Sequence, residues 1–357
     1  MGRKQRLILF LSVLCLFFCF AQAGAQKKND DASFETFVEA GDTARMADYL
    51  SKAKPEEKIK MLNAVYINGR TPLMYAVEEK NSEMIKFLAE NGADVNLAVN
   101  GYYPFAAAVA DEEKSITDYL DSTGELSKES YDAALLEAAG PLLTARNPQE
   151  RKENIAKVKR KDNIDLFKRL AAKSGGIKIN EAQLLMRAAD NGNTAILSYL
   201  LANGANPQAK EKNYGFTPLF WAVSSGSMET VKILLNAGAD INAKSTSAIT
   251  PLFLTIENTA NEVADAANIE MMKYLIAAGA DMNAFSALPF SVELKGIKIL
   301  SYLLSKGADA KSAAGGVALM TALNAQNYEA ANLLKRYGAS AKKAGNRLPL
   351  KYRRFRY

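Results

Sequence analysis

The sequence predicts an all-α solenoid, a row of stacked helix pairs, and three observations support this prediction. One motif recurs along the chain, beginning at Thr71, Thr217 and Thr250. The interval from Thr217 to Thr250 is 33 residues, a typical length for a stacked helical repeat. Each copy holds two short apolar segments at helical spacing. Because such a unit is too thin to bury its own apolar faces, it needs a copy of itself on either side.

The clearest copy is residues 215–243, which spell GFTPLFWAVSSGSMETVKILLNAGADINA. Thr217 and Pro218 are typical of the N-cap and the first turn of a helix, so a short first helix is expected to follow them. Residues 228–236 predict a second helix. Gly238 stands where a left-handed C-terminal cap belongs, because glycine adopts positive φ without steric cost.

The shared pattern TPL…A…G…LL..GAD.N resembles the ankyrin repeat, whose period is about 33 residues. The resemblance implies an ankyrin-repeat solenoid of about 8–9 helix-pair repeats, several of them degenerate, with helical insertions. Eight copies follow from Thr71 onward, and a helix pair around Gly41 adds an N-terminal cap. Ankyrin repeats usually have histidine two residues after the proline, whereas this chain has Met74, Phe220 and Phe253. We expect these apolar side chains to be buried.

The predicted organisation has four segments. Residues 1–25 are a signal peptide and residues 26–66 an N-terminal helical cap. Residues 67–341 are the ankyrin repeat array, followed by a basic C-terminal tail at residues 342–357. Within the array, residues 127–180 form a degenerate repeat that carries a basic insertion.

The first 25 residues have the features of a secretory signal. Three basic residues precede an apolar run of 14 residues at positions 7–20, and small residues near Ala23 and Ala25 offer cleavage sites. The run is short for a membrane span, which needs about 20 residues. We therefore expect an exported protein, periplasmic or secreted and most simply bacterial. An uncleaved N-terminal anchor is the alternative. A lipoprotein signal is disfavoured, because bulky residues precede Cys15 and Cys19.

The mature chain offers little catalytic chemistry. The protein has no histidine, and its two cysteines, Cys15 and Cys19, lie in the predicted signal. Ser-His-Asp and Cys-His catalysis and the usual Cys/His zinc sites are therefore excluded after cleavage. Phosphate-binding glycine loops and calcium loops are also missing from the sequence. We predict no enzymatic activity, no cofactor and no metal. We expect the recurring Gly-Ala-Asp aspartates to hydrogen bond their own loop backbone. These are Asp94, Asp240, Asp281 and Asp309.

The remaining function class is binding to a partner protein. In the family that this chain resembles, partners lie in a concave groove made by the turn tips and the ends of the first helices. Aromatic residues are enriched in binding hot spots, so Tyr102, Tyr214 and Phe216 are the strongest candidates, with Trp221 next. The alternative is that Phe216 and Trp221 pack on the neighbouring repeat. Carried over by position, the resemblance also places these residues in the groove: Asn68, Arg70, Glu78, Glu79, Asn100, Asp111, Asp190, Asn191, Ser224, Ser225 and Glu257.

Positive charge is concentrated in two segments. Residues 146–173 have a net charge of +6, and the tail at 342–357 carries seven basic residues and no acidic ones. A second prediction is therefore a peripheral protein that this tail holds on an anionic envelope or membrane surface. A solvated end cap is the plainer interpretation of the tail, since every solenoid needs a polar end. Nucleic acid is disfavoured as a partner of an exported protein.

Overall fold

The computed structural model describes most of the predicted repeat array. The described residues are 33–66, 69–140, 163–178, 180–258, 266–283, 287–294 and 297–344. Within these ranges the regular structure is nineteen α-helices, one short 3-10 helix and one isolated antiparallel bridge. The predicted signal peptide, nearly all of the basic insertion and the tail beyond Ala344 lie outside the described residues. No helix in the described ranges is long and apolar enough to cross a membrane.

The chain divides into two compact units, Met1–Ser130 and Tyr131–Tyr357, which we call unit 1 and unit 2. Seven helices lie wholly in unit 1: α1 Phe34–Glu39, α2 Thr43–Ser51, α3 Pro55–Leu62, α4 Pro72–Glu78, α5 Ser82–Glu90, α6 Pro104–Ala110 and α7 Lys114–Ser122. The predicted cap corresponds to α1, α2 and α3. The helix pair predicted around Gly41 is confirmed as α1 and α2, and α3 ends at Leu62.

Helix α8, Lys128–Ala139, begins in unit 1 and continues into unit 2. The helices that follow in unit 2 are α9 Ile164–Lys173, α10 Glu181–Asn191, α11 Thr194–Ala202, α12 Pro218–Ser225, α13 Met228–Asn236, α14 Pro251–Asn258, α15 Ala266–Ala277, α16 Ala287–Glu293, α17 Ile297–Ser305, α18 Ala313–Asn324 and α19 Tyr328–Arg336. Eight helix pairs therefore follow from α4 onward, as the repeat pattern predicts. The expected second helix at 228–236 is confirmed, and so is the left-handed cap, since Gly238 has φ of +88°.

Within each unit, first helices pack on first helices, and several second helices pack on second helices. In unit 1 the first helices α1, α4 and α6 form one row, and the second helices α2, α5 and α7 form another. In unit 2 the first helices α10, α12, α14, α16 and α18 form a continuous row. Fully buried leucines lie between the two rows, including Leu88, Leu120, Leu219 and Leu234. The apolar core is therefore shared between neighbouring repeats.

Asparagine side chains join the loop that ends one repeat to the loop that ends the next. Asn242 Oδ1 accepts a hydrogen bond from the Asp281 N–H at 2.8 Å. Asn283 Oδ1 accepts one from the Asp309 N–H, also at 2.8 Å. Unit 1 has equivalent bonds from the Asp94 N–H to Asn63 and from the Ser127 N–H to Asn96, both at 2.7 Å. We call these contacts the asparagine bridges.

The loop role predicted for the Gly-Ala-Asp aspartates is confirmed. In each loop the Asp Oδ1 accepts a hydrogen bond at 2.8 Å from the backbone N–H two residues further on. The aspartates are Asp94, Asp240, Asp281 and Asp309. In the first three of these loops, this bond fixes the turn from which Asn96, Asn242 or Asn283 bridges to the next repeat.

Lysine and tyrosine side chains connect the second helices of neighbouring repeats. The lysine is in each case the fifth residue of its helix, and its ammonium lies over a tyrosine ring in the next second helix. The pairs are Lys86 over Tyr119 at 5.7 Å, Lys168 over Tyr199 at 5.6 Å and Lys232 over Tyr274 at 5.6 Å. At these distances the cation is attracted to the ring face.

The helix starts at the Thr-Pro sites differ in their hydrogen bonding. Thr71 Oγ1 accepts from the Met74 N–H at 3.2 Å, and Thr250 Oγ1 accepts from the Phe253 N–H at 3.4 Å. Thr217 is also the N-cap residue of its helix, but its buried Oγ1 has no hydrogen-bond partner among the described residues. The expected burial of Met74, Phe220 and Phe253 at the histidine slot is confirmed.

We predict that Thr217→Val leaves stability unchanged or slightly raises it, because the substitution removes a buried hydroxyl that gains no hydrogen bond. The matched control, Thr250→Val, loses a capping bond and should cost about 1 kcal/mol. Urea unfolding of the full chain, followed by circular dichroism, measures both. Equal destabilisation by the two substitutions would contradict the assignment of Thr217 as an unsatisfied cap.

Candidate functional site

Four aromatic side chains form a cluster at the start of α12, and we call them the aromatic platform. The Phe216 ring stacks on Tyr214 at 5.8 Å and on Phe220 at 4.9 Å, with interplanar angles of 26° and 25°. Its edge contact with Trp221 has a centroid distance of 6.4 Å and an angle of 81°. Tyr214 is 61% exposed, Phe216 and Trp221 are half-buried, and Phe220 is buried. An exposed tyrosine therefore rests on a packed aromatic stack.

The carboxylate of Glu211 holds the backbone of the tip that carries Tyr214. Its oxygens accept hydrogen bonds from the N–H groups of Asn213 at 2.6 Å, Tyr214, and Phe216 at 3.4 Å. The Glu211 N–H in turn donates to the Phe216 carbonyl at 3.0 Å. Glu211 is not among the residues that the sequence predicts for the site. Its only signal is an acidic residue shortly before a turn, and that does not reveal which N–H groups the carboxylate will face.

The tip is also tied to the next repeat. The Tyr214 carbonyl accepts hydrogen bonds from the Thr246 N–H at 2.8 Å and from the Thr246 hydroxyl at 3.1 Å. Gly215 directly follows Tyr214. It has φ of +68°, and a Cβ at this position would lie 3.3 Å from the Thr246 nitrogen. Glycine is therefore required for both the turn and the close approach. A tip fixed on both sides loses little conformational freedom when a partner binds.

In unit 1, an ion pair joins a predicted tip residue to a predicted helix-end residue. Arg70 lies in the segment before α4, and its Nε contacts the Oε2 of Glu78, the last residue of α4. The tip and the end of the first helix therefore lie on the same side of this repeat, as the resemblance implies. Glu79 follows directly as the C-cap of α4 and is exposed.

The next tip is a tight hairpin that presents Tyr102. Backbone hydrogen bonds of 3.0 and 2.9 Å join Val99 and Tyr102 across the turn. Asn100 and Gly101 both have positive φ, 54° and 78°, as a type I′ turn requires. Tyr102 is 54% exposed and Asn100 is also exposed. Asp111, the residue directly after α6, is exposed as well.

The structure corrects the placement of Asp190. This residue is completely buried, so its carboxylate is not part of an accessible groove surface. Asp190 follows the buried Met186 by four residues in α10 and so shares the core-facing side of that helix. The helix ends themselves are in register, because α10 and α12 both end directly before a left-handed glycine, Gly192 and Gly226. Position in the motif therefore places Asp190 at the helix end but does not determine whether its side chain is exposed.

The neighbouring candidates in unit 2 are half-buried and take part in local hydrogen bonds. Asn191 Nδ2 donates to the Arg187 carbonyl at 2.8 Å. Ser225 Oγ lies 3.0 Å from the Ala222 carbonyl and 3.3 Å from the Ala189 carbonyl in the adjacent first helix. Ser224 is half-buried as well.

Two candidates remain predictions that the structure does not address. Asn68 lies outside the described residues. Glu257 belongs to α14, but only its backbone is described.

The described residues do not form a metal-binding cluster of three or more His, Cys, Asp or Glu side chains. Acidic side chains do influence a phenol in unit 1. Burial raises the pKa of Tyr75, and the carboxylates of Glu79 and Glu39 raise it further, while Arg70 opposes them. The carboxylates at the ends of α1 and α4 therefore create a negative potential at the Tyr75 hydroxyl.

Comparisons with known proteins agree with the repeat pattern. Residues 15–127 and 155–245, together more than half of the chain, match the family model described as ankyrin repeats (3 copies). An ankyrin repeat protein of Rickettsia felis is 25% identical over 231 residues, which are 64% of this chain and 57% of that protein. The resemblance stated from the sequence is therefore confirmed.

Two further relatives match shorter stretches. An ankyrin repeat-containing protein of Schizosaccharomyces pombe is 40% identical over 67 residues, 19% of this chain and 32% of that protein. The 2-5A-dependent ribonuclease of Mus musculus is 32% identical over 76 residues, 21% of this chain and 10% of that enzyme. The chain thus spans less than two thirds of the length of each curated relative named here.

We predict that Glu211→Ala loosens the tip without unfolding the repeat, because charge-assisted bonds to backbone N–H groups are lost. Amide exchange at residues 213–216 should accelerate by about tenfold or more. Exchange in α12 and α13 should stay close to that of the unmodified chain. Hydrogen–deuterium exchange of the full chain measures this, with the exposed neighbour Lys212→Ala as the control. Unchanged exchange at 213–216 would show that Glu211 does not hold the tip.

Proposed function

Because the chain belongs to the ankyrin repeat family, whose repeats generally serve as protein–protein interaction modules, we propose that it is a non-catalytic scaffold that binds a partner protein. The proposed binding surface is the groove formed by the tips and the first-helix ends. Its main anchor in unit 2 is the aromatic platform.

The observation that carries this proposal is the exposed Tyr214 ring on a stack that is already packed. Binding hot spots are enriched in tyrosine and tryptophan and tend to be surrounded by contacts that exclude water. Glu211 and Thr246 hold the backbone on both sides of the ring. A partner would therefore contact a large apolar surface that is already ordered in the fold, so little conformational entropy would be lost on binding.

The absence of histidine from the whole chain supports a non-catalytic role. The common nucleophilic and zinc-dependent mechanisms depend on histidine or cysteine, and both cysteines lie within the first 25 residues. We propose that this segment is a cleaved signal and that the mature protein acts in the periplasm or outside the cell. The basic start, the apolar run and the small residues near Ala23 and Ala25 support this localisation.

The test removes the platform's outer rings. The double variant Tyr214→Ala with Phe216→Ala should lower affinity for the partner by about 30-fold or more, since it deletes a hot spot. The measurement is affinity capture from the native exported fraction with the full chain as bait, followed by quantitative mass spectrometry.

The matched control for this experiment is Tyr328→Ala with Tyr337→Ala, which removes two exposed aromatic rings at the ends of α19. Circular dichroism establishes that both variants are folded. If the platform variant and the control capture the same proteins in the same amounts, the platform is not the binding site.

A second function is favoured by the composition of the tail. Residues 342–357 carry seven basic residues, three aromatic residues and two leucines, a combination suited to an anionic surface. We propose as the alternative that this tail holds the protein on an envelope or membrane surface. Fractionation with and without residues 342–357 separates the two. Release of the shortened chain from the membrane with loss of function would favour the alternative.

A further inference from the structure

We propose that Asn100 in unit 1 is a site of spontaneous covalent modification, at which the side-chain amide is lost and an aspartate or isoaspartate residue forms. The reaction is the intramolecular deamidation of an Asn-Gly pair, and water is its only co-reactant. The site lies in the hairpin that presents Tyr102. This inference goes beyond the proposed function, because the modification itself needs no partner protein.

The chemistry is contained in two adjacent residues, Asn100 and Gly101. The Gly101 nitrogen loses its proton and attacks Cγ of Asn100, so that an N–Cγ bond forms, the Cγ–Nδ2 bond breaks and ammonia leaves. Water then opens the resulting cyclic succinimide. Opening at Cγ gives aspartate, and opening at the backbone carbonyl carbon gives isoaspartate, in which the main chain runs through Cβ and Cγ. Glycine favours the attack, because it has no Cβ to obstruct the approach of its nitrogen.

Most Asn-Gly pairs of this chain are protected by hydrogen bonds at helix C-termini. The sequence has five such pairs, and four of them lie wholly within the described residues. In three of the four, the asparagine Nδ2 donates to the carbonyl four residues earlier at 2.8 Å, and the glycine N–H donates to the carbonyl three residues earlier. Both reacting groups are therefore restrained. These pairs are Asn91–Gly92, Asn191–Gly192 and Asn203–Gly204.

The pair Asn100–Gly101 lacks both of these restraints. Among the described residues, neither the Asn100 side chain nor the Gly101 N–H takes part in a hydrogen bond. Both residues are exposed. Asn203 is exposed as well, so access to water does not by itself distinguish Asn100. The difference is that the amide carbon and the attacking nitrogen of this pair are not held apart by bonds to other groups.

The turn that contains this pair is closed by little structure. Val99 and Tyr102 form an isolated bridge, with hydrogen bonds of 3.0 and 2.9 Å between their backbone groups. A closed type I′ turn does not bring the Gly101 nitrogen to Cγ of Asn100, so the hairpin must open before the ring forms. Opening an exposed hairpin costs less free energy than unwinding the packed end of a helix. We therefore expect Asn100 to react faster than the asparagines at helix ends.

The modification changes the tip at the edge of the proposed groove. Either product adds one negative charge close to Tyr102, which is 54% exposed. Isoaspartate also lengthens the main chain by one carbon atom within the turn, and this displaces the backbone groups of Val99 and Tyr102 from their hydrogen-bonding positions. The Tyr102 ring then loses its fixed backbone support. The effect on binding rests on the proposed function, and it increases with the age of the protein.

The test incubates the folded full chain at mildly alkaline pH in water enriched in the heavy oxygen isotope. Digestion and mass spectrometry then locate the label, which enters only residues that react during the incubation. Asn100 should react about tenfold faster than residues 91, 191 and 203, because each of those must first lose its side-chain and backbone hydrogen bonds. Equal rates at the four positions, or a faster reaction at a helix end, would overturn the proposal.

The matched control is the same chain unfolded in urea. There the four pairs should react at rates within about threefold of one another, because the native hydrogen bonds are gone. A preference for Asn100 that persists in urea would overturn the structural explanation, since the local sequence would then be sufficient.

A second variant tests the effect on the hairpin. Asn100→Gly removes the reactive amide and keeps the type I′ turn, because glycine suits both central positions of that turn. After prolonged incubation, hydrogen–deuterium exchange should show faster exchange of the Val99 and Tyr102 amides in the unmodified sequence but not in this variant. Equal acceleration in both chains would contradict the stated effect. No partner protein enters these measurements, so their failure is distinguishable from failure of the proposed function.

Discussion

Every helix pair in this chain depends on its neighbours for burial. A first helix such as α12 has only eight residues, and its buried side chains face both its own second helix and the first helices on either side. No pair could retain its apolar core alone, because part of the surface that covers the core belongs to the neighbouring repeats. The asparagine bridges and the lysine–tyrosine pairs follow the same rule, since each joins residues of adjacent repeats.

This constraint also determines what remains for function. Because apolar residues are largely used for stacking, we place the proposed partner surface at the tips and the first-helix ends. In unit 2 the Tyr214 ring is exposed at a tip, and the Phe216 and Phe220 rings stack behind it. In unit 1 the same positions carry carboxylates and Tyr102. The two units thus expose different side chains at these positions.

Sequence reasoning succeeded where a property is local to one repeat. The bounds of α13, the positive φ of Gly238 and the aspartate turns follow from residue types at fixed positions. It failed at Asp190, because the position of a residue in the motif does not determine whether its side chain is buried once the repeats are stacked. The asparagine bridges, the Lys232–Tyr274 pair and the role of Glu211 were also missed. They depend on distances between groups that the motif leaves undetermined until the repeats are stacked.

The central claim is that neighbouring repeats stabilise each other through contacts such as the Asn242 bridge. Native-state hydrogen exchange of Asn242→Ala in the full chain tests it most directly. The account predicts that protection falls in α12 to α15, on the two sides of the bridge, and that protection in α4 to α7 of unit 1 stays unchanged. An equal loss of protection in both units, or no loss next to the bridge, would contradict it.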